Sequence, residues 1–83
     1  MLRHEIYDIE KVRVLKSNFH TAFETPQGKE VIEFLENACH WYQSCIDEHN
    51  PELTYVNDGK RQVLATIKTI LECSPEQLLS LIN

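Results

Sequence analysis

Cys45 and His49 stand four residues apart, a spacing that puts a thiolate and an imidazole on one face of a helix, where both can ligate a metal ion. Cys39, Cys73 and His20 are the side chains that could complete such a site. The chain has no C-x-x-C and no H-x-x-x-H pair. The plainer reading is preferred: thiols packed as small apolar groups, and a histidine suited to the negative end of a helix. No metal is expected. The four histidines, His4, His20, His40 and His49, are scattered. The carboxylates Glu30, Glu33, Glu36, Asp47 and Glu48 fall mostly on the polar side of one expected helix and read as a solvated face. No nucleophile and base are forced together. No catalytic residue and no cofactor are expected, and the chain is read as not an enzyme.

The segment Asp58-Gly59-Lys60-Arg61 is the other place where chemistry can hide. A helix N-terminus attracts anions, and glycine lets a ligand come close to the backbone. A phosphate-binding loop of the Walker type needs a preceding strand and a second glycine upstream, but position 54 is Thr and no strand precedes it. If a helix starts at Asn57 or Asp58, its first turn carries two cations at the positive end of the dipole, each opposed by roughly 0.3–1 kcal/mol. Two explanations stand side by side. Lys60 and Arg61 pair with carboxylates of the chain's own acidic helix, or they face a partner. At 100° per residue Lys60 lies within the apolar arc of its helix and Arg61 outside it, so Lys60 would lay its methylenes on the core and send its ammonium to the rim.

These side chains need elements to hold them. The 83 residues suffice for one small domain, read as spanning 1–83. Thirteen acids against eight bases give a net charge of −5, which argues against a general nucleic-acid or anionic-membrane binder. No apolar run approaches the roughly 20 residues of a membrane span. The first ten residues carry charges where a signal peptide needs an apolar stretch, so a cytoplasmic location and reduced cysteines are expected.

The pattern of apolar residues is helical nearly throughout. A first helix is expected from about Asp8 to Glu24, starting as early as Arg3 in the longest version. Thr25 and Pro26 open a second, which the pattern carries to about His49, roughly 36 Å. Phe34 and Trp41 widen its apolar face to about 180°, more than the about 100° that one neighbouring helix covers. That single long rod would offer more apolar surface than its own chain can hide. Asn50-Pro51 then ends it, Glu52–Val56 is the one strand-like stretch, and a third helix follows from Asp58 to Glu72. Ser74, Pro75 and Gln77 form a capping box for a short, almost wholly apolar terminal helix expected to pack inward. The fold class is all-α: a small helical bundle of three main helices plus a short C-terminal helix.

Two motifs carry a resemblance: F-x₃-F-x-T-P-x-G-x₂-V from Phe19 to Val31, and N-x-G-K-R from Asn57 to Arg61, followed by I-x₃-L and by S-P-E at Ser74 to Glu76. In this order and spacing they resemble the Bbp19-like domain of tailed bacteriophages, over roughly residues 19–77. The resemblance implies a phage origin, a helical fold, no enzymatic activity and a place among virion or head–tail genes. The middle stretch, "ACHWYQSCIDEHN", is longer and more aromatic than the motif.

The function expected is that of a non-enzymatic phage protein acting through protein–protein contacts, a small accessory component of the virion or its assembly. The alternative is a phage protein that inhibits a host protein, with its acidic face imitating nucleic acid. Nucleic-acid binding through Lys11, Arg13, Lys16, Lys60 and Arg61 ranks third. The expected partner is a phage virion or host protein, with self-association possible and no membrane. The location is the host cytoplasm or the virion. The partner-binding residues expected are Phe34, Trp41, Lys60 and Arg61.

Overall fold

The structure, a computed structural model, describes residues 7–82. The alternative helix start at Arg3 and the histidine His4 lie outside them. Among the described residues there are four helices and no strand: α1 (Ile9–Phe23), α2 (Pro26–Ala38), α3 (Pro51–Glu72) and α4 (Pro75–Ile82). The class is all-α, as the periodicity predicts.

Each start has a chemical cause. Asp8 caps α1 by accepting a hydrogen bond from the Lys11 amide at 2.8 Å. Thr25 caps α2: its Oγ1 accepts from the Gly28 amide at 3.0 Å, with Pro26 in the first turn. Asn50 caps α3 through the Glu52 amide at 3.1 Å, again with proline next. Ser74 and Gln77 form a reciprocal capping box at α4: the Gln77 amide donates to Ser74 Oγ at 3.2 Å and the Ser74 amide to Gln77 Oε1 at 2.9 Å.

Two boundaries depart from the sequence reading. The second helix stops at Ala38, about eleven residues before His49. Cys39 closes it, and His40 turns the chain with a left-handed φ of 56°. From Cys39 to Cys45 the chain runs Cys-His-Trp-Tyr-Gln-Ser-Cys, and all but the glutamine are mediocre helix formers. Apolar periodicity alone does not hold a helix through such a run. The third helix starts seven residues earlier than Asp58, and the strand-like Glu52–Val56 is helical. Asn57 and Asp58 are therefore interior residues. Asn57 donates to the Cys45 carbonyl at 3.3 Å, and Asp58 accepts from Gln62 at 2.8 Å.

α1 is the hub, packing against α2, α3 and α4 in turn. Val12 of α1, Ile70 of α3 and Leu78 of α4 form the buried centre, with Tyr7, Phe19, Cys73, Leu79 and Ile82 around it. The terminal helix thus packs inward, as its leucines suggest. Lys16 of α1 adds a polar tie: its ammonium donates to the carbonyls of Ile70 at 3.1 Å and Leu71 at 2.9 Å. These are carbonyls of the last turn of α3, which lack partners within the helix. The radius of gyration is 14.8 Å and the extents are 46 × 32 × 17 Å, whereas a compact domain of this length has a radius of about 12 Å. The molecule is a slab two helix layers thick, with much of its apolar surface unpaired.

The two glycines have opposite roles. Gly28 is buried where α2 crosses the end of α1, and a Cβ there would clash with the backbone of Ala22 and Phe23. Gly59 lies inside α3 with nothing within 4 Å of where its Cβ would be. Replacing Gly59 with Ala removes backbone freedom from the unfolded chain at no steric cost. Gly59→Ala is expected to stabilise the protein by about 0.5–1 kcal/mol in urea titration.

Candidate functional site

Segment 39–50 links α2 to α3 without helix, and its own polar groups fold it back on α3. Asp47 Oδ1 accepts from the amides of His49 at 3.0 Å and Asn50 at 2.9 Å, a local turn that delivers the chain to the Asn50 cap. The Asp47 amide donates to Thr54 Oγ1 at 2.8 Å, and the Cys45 carbonyl accepts from Asn57. Cys45 and His49 are thus not on a helical face, and the ligand spacing seen in the sequence has no structural counterpart. Among the described residues no three His, Cys, Asp or Glu side chains converge.

Trp41 is the centre of this segment. Its ring is half-buried under two cations, with Lys68 Nζ 4.4 Å and Arg61 Cζ 5.2 Å from the centroid. Glu36, in the last turn of α2, completes the cluster. Its Oε2 accepts from Lys68 at 2.7 Å and from the Tyr42 hydroxyl at 2.9 Å, and its backbone carbonyl accepts from the Trp41 amide at 2.9 Å. The Lys68 and Glu36 side chains are 20% and 14% exposed, which makes this the best-shielded ion pair of the described residues.

The hydrogen bond from Lys68, then that from Tyr42, holds the Glu36 carboxyl below its ordinary 4.5. The same carboxylate pushes the Tyr42 phenol above its ordinary 10.0. The signs follow from linkage. The Glu36 contribution is full above about pH 4.5 and is lost as pH falls through the lower folded value. The Tyr42 contribution is full below about pH 10 and is lost as pH rises past the folded value. Glu36→Gln is therefore expected to lower the melting temperature at pH 7, with the gap from the parent closing in acid. A gap that does not change with pH would mean the carboxylate's charge is irrelevant.

Of the four partner-binding residues expected, the structure joins two, Trp41 and Arg61. Lys60 and Arg61 sit nine and ten residues into α3, so the dipole conflict that made them conspicuous does not arise. Neither forms an ion pair among the described residues, the acids of α2 included. Arg61 lies on Trp41 instead, and Lys60 is exposed. Glu36 and Lys68 were not singled out by sequence. Lys68 follows Arg61 by seven residues, and that repeat along one face of α3 is the signal that would have found it.

Phe34 stays on α2 and points outward, 68% exposed, with shallow grooves on either side formed with Gln27, Glu30, Val31, Glu33 and Asn37. The unbroken rod from Pro26 to His49 does not exist, so the apolar excess expected from it has a different origin. It is spread over Val31 and Phe34 of α2, Tyr42 and Ile46 of the linking segment, and Leu53, Tyr55, Val56 and Val63 of α3. The five cations considered for nucleic acid do not act together either: Arg13 pairs with Glu10, and Lys16 is engaged by α3.

The Thr-Pro-x-Gly corner and the Asn-x-Gly-Lys-Arg stretch, the two motifs on which the resemblance rests, lie at the start of α2 and inside α3. The model of the Bbp19-like phage protein family matches residues 19–83, most of the chain, and the chain belongs to that family. No curated protein and no solved structure shows significant similarity to it. No helix among the described residues is long and apolar enough to cross a membrane.

Proposed function

We propose that this phage protein is non-enzymatic and works through protein–protein contacts, as a small accessory component of the virion or of its assembly in the host cytoplasm. One observation carries the reading. Among the described residues four large apolar side chains are buried, Val12, Leu64, Ile70 and Leu78, while ten are exposed. Contiguous apolar surface marks interaction sites on soluble proteins, and Val31 with Phe34 on α2 and Leu53 with Val56 and Val63 on α3 stand on exposed helix faces. The groove between α3 and α4, about 260 Å³, is lined by residues such as Ala65, Thr66, Thr69 and Leu81, a largely apolar surface suited to a protein contact.

Mass spectrometry of purified phage particles tests the virion role. The protein is expected there in fixed proportion to a structural protein, and its absence removes that role. A second reading has its own support: Glu30 and Glu33 are exposed on α2 and enter no ion pair among the described residues, a surface that suits an inhibitor of a host nucleic-acid-binding protein. Capture of one host protein, lost when both are changed to Gln, would favour it.

A further inference from the structure

Two exposed stripes, on α2 and on α3, are similar in length and differ in charge. On α2, Gln27, Val31, Phe34 and Ala38 fall within an arc of roughly 60° at 100° per residue, and all four are exposed. Val31 is 48% exposed and Phe34 68%. The face roughly 100° around the helix, with Gly28, Ile32 and Leu35, is the more buried one. Glu30 borders the outer stripe near its middle, with Glu33 and Lys29 behind it.

On α3, Leu53, Val56, Lys60, Val63 and Ile67 fall within an arc of roughly 80°. Leu53, Val56 and Val63 are 43%, 50% and 64% exposed. Their three–four spacing is that of a helix–helix seam, and Lys60 stands at its centre. The α3 stripe spans ~21 Å and the α2 stripe from Gln27 to Ala38 ~17 Å, so the one covers the other along its length. Lys60, Glu30 and Glu33 have no ion-pair partner among the described residues.

Charge decides which surface covers which. If two α3 stripes pair antiparallel about a two-fold axis, Lys60 meets Lys60 of the other copy at the centre. If two α2 stripes pair likewise, the Glu30 and Glu33 side chains of both copies lie along the same flank. Like charges this close repel. An α3 stripe laid centrally on an α2 stripe brings Lys60 to Glu30 and lets the ammonium's methylenes cover Phe34 and Val31. From this complementarity we infer that the partner for these stripes is a second copy of this chain, docked head to tail, α3 of one copy on α2 of the next. Such a contact is heterologous, so each pair leaves one stripe of each kind free, and the assembly grows into a ring or a filament. The inference rests on the protein-contact function proposed above and specifies its partner.

Sedimentation of two blocked variants tests it. Phe34→Asp disables the α2 stripe and Val63→Asp the α3 stripe. Both positions are well exposed, and circular dichroism checks that each variant is folded. The parent is expected to form assemblies larger than a dimer as concentration rises. Each variant alone is expected to be monomeric, and an equal mixture to give a one-to-one dimer and nothing larger. Lys60→Glu and Glu30→Lys are each expected to weaken association by about tenfold, and the double exchange to restore it. A parent that stays monomeric at its highest soluble concentration overturns the inference, as does a Val63→Asp or Phe34→Asp protein that still dimerises by itself. A monomer that is nonetheless found in purified particles overturns self-docking while leaving the protein-contact function intact. Absence from particles combined with head-to-tail assembly supports the inference and removes the virion role.

Discussion

Gly28→Ala is expected to destabilise the protein more than any other single change considered. The added methyl would lie 2.3 Å from the Ala22 carbonyl oxygen and 2.5 Å from the Phe23 Cα. Both are backbone atoms, so no side chain can swing aside, and α2 must move away from the end of α1. Overpacking of this kind costs about 3 kcal/mol. A domain of this length has only ~4–12 kcal/mol of stability in total. At about 4–8 °C per kcal/mol the melting temperature should fall by roughly 12–24 °C. The Thr25 cap is untouched by the change, since it is the Gly28 backbone amide that donates to it. A loss below about 1 kcal/mol would mean the corner between α1 and α2 is looser than described.

Trp41→Ala should have the next largest effect, about 2 kcal/mol, and a local one. The indole is half-buried rather than core, which places it below the 3–5 kcal/mol of a fully buried aromatic. It is also what Lys68 and Arg61 rest on. Without it, segment 39–50 keeps its turn at Asp47 but loses its tie to the middle of α3. Hydrogen exchange should speed up at residues 39–46 while α1 and α4 keep their protection. A double-mutant cycle with Arg61→Ala should return a coupling of about 0.5–1 kcal/mol. A coupling near zero would leave Arg61 as a surface cation that merely lies nearby.

The helix starts were legible in the sequence wherever the signal was read as a start. Thr25-Pro26 and Ser74-Pro75 open α2 and α4 through the same cap-then-proline chemistry. Asn50-Pro51 is the third instance of that pattern, and it opens α3. A proline there also ends the preceding helix, and read only in that way it leaves Asn57 or Asp58 as the cap. A late start for α3 put Lys60 and Arg61 at the wrong end of a dipole, and a missing stop for α2 put Trp41 on its face. The stop was hard to see because Cys39, Trp41, Tyr42 and Cys45 keep a helical beat while being mediocre at sustaining a helix. His40, in the left-handed region, is not a residue type that announces a turn as glycine does.

The candidate site was legible in part. Trp41 and Arg61 were singled out, and they touch. Their partners Glu36 and Lys68 were hidden, because the contact joins residues 32 apart through a loop whose path depends on the unrecognised break. Phe34 widens the apolar face of α2 in the sequence, a margin position that packs in a core more often than it stays open, and it is the exposed aromatic of that helix. The importance of Gly28 was invisible without coordinates. Its position next to a cap reads as permissive, whereas the space it leaves is filled by another helix's backbone.

The hub position of α1 decides where this chain can be cut. The family match begins at Phe19, inside that helix, so Val12 and Lys16 lie upstream of it. Val12 is the buried residue on which Ile70 and Leu78 converge, and Lys16 closes the open end of α3. A fragment confined to residues 19–83 would carry every matched position and still lack the seat for its own last helix. The boundary of kinship and the boundary of the folding unit therefore differ by about three turns of one helix. This chain trimmed to residues 19–83 is expected to precipitate, its last helix having lost the surface it packs on.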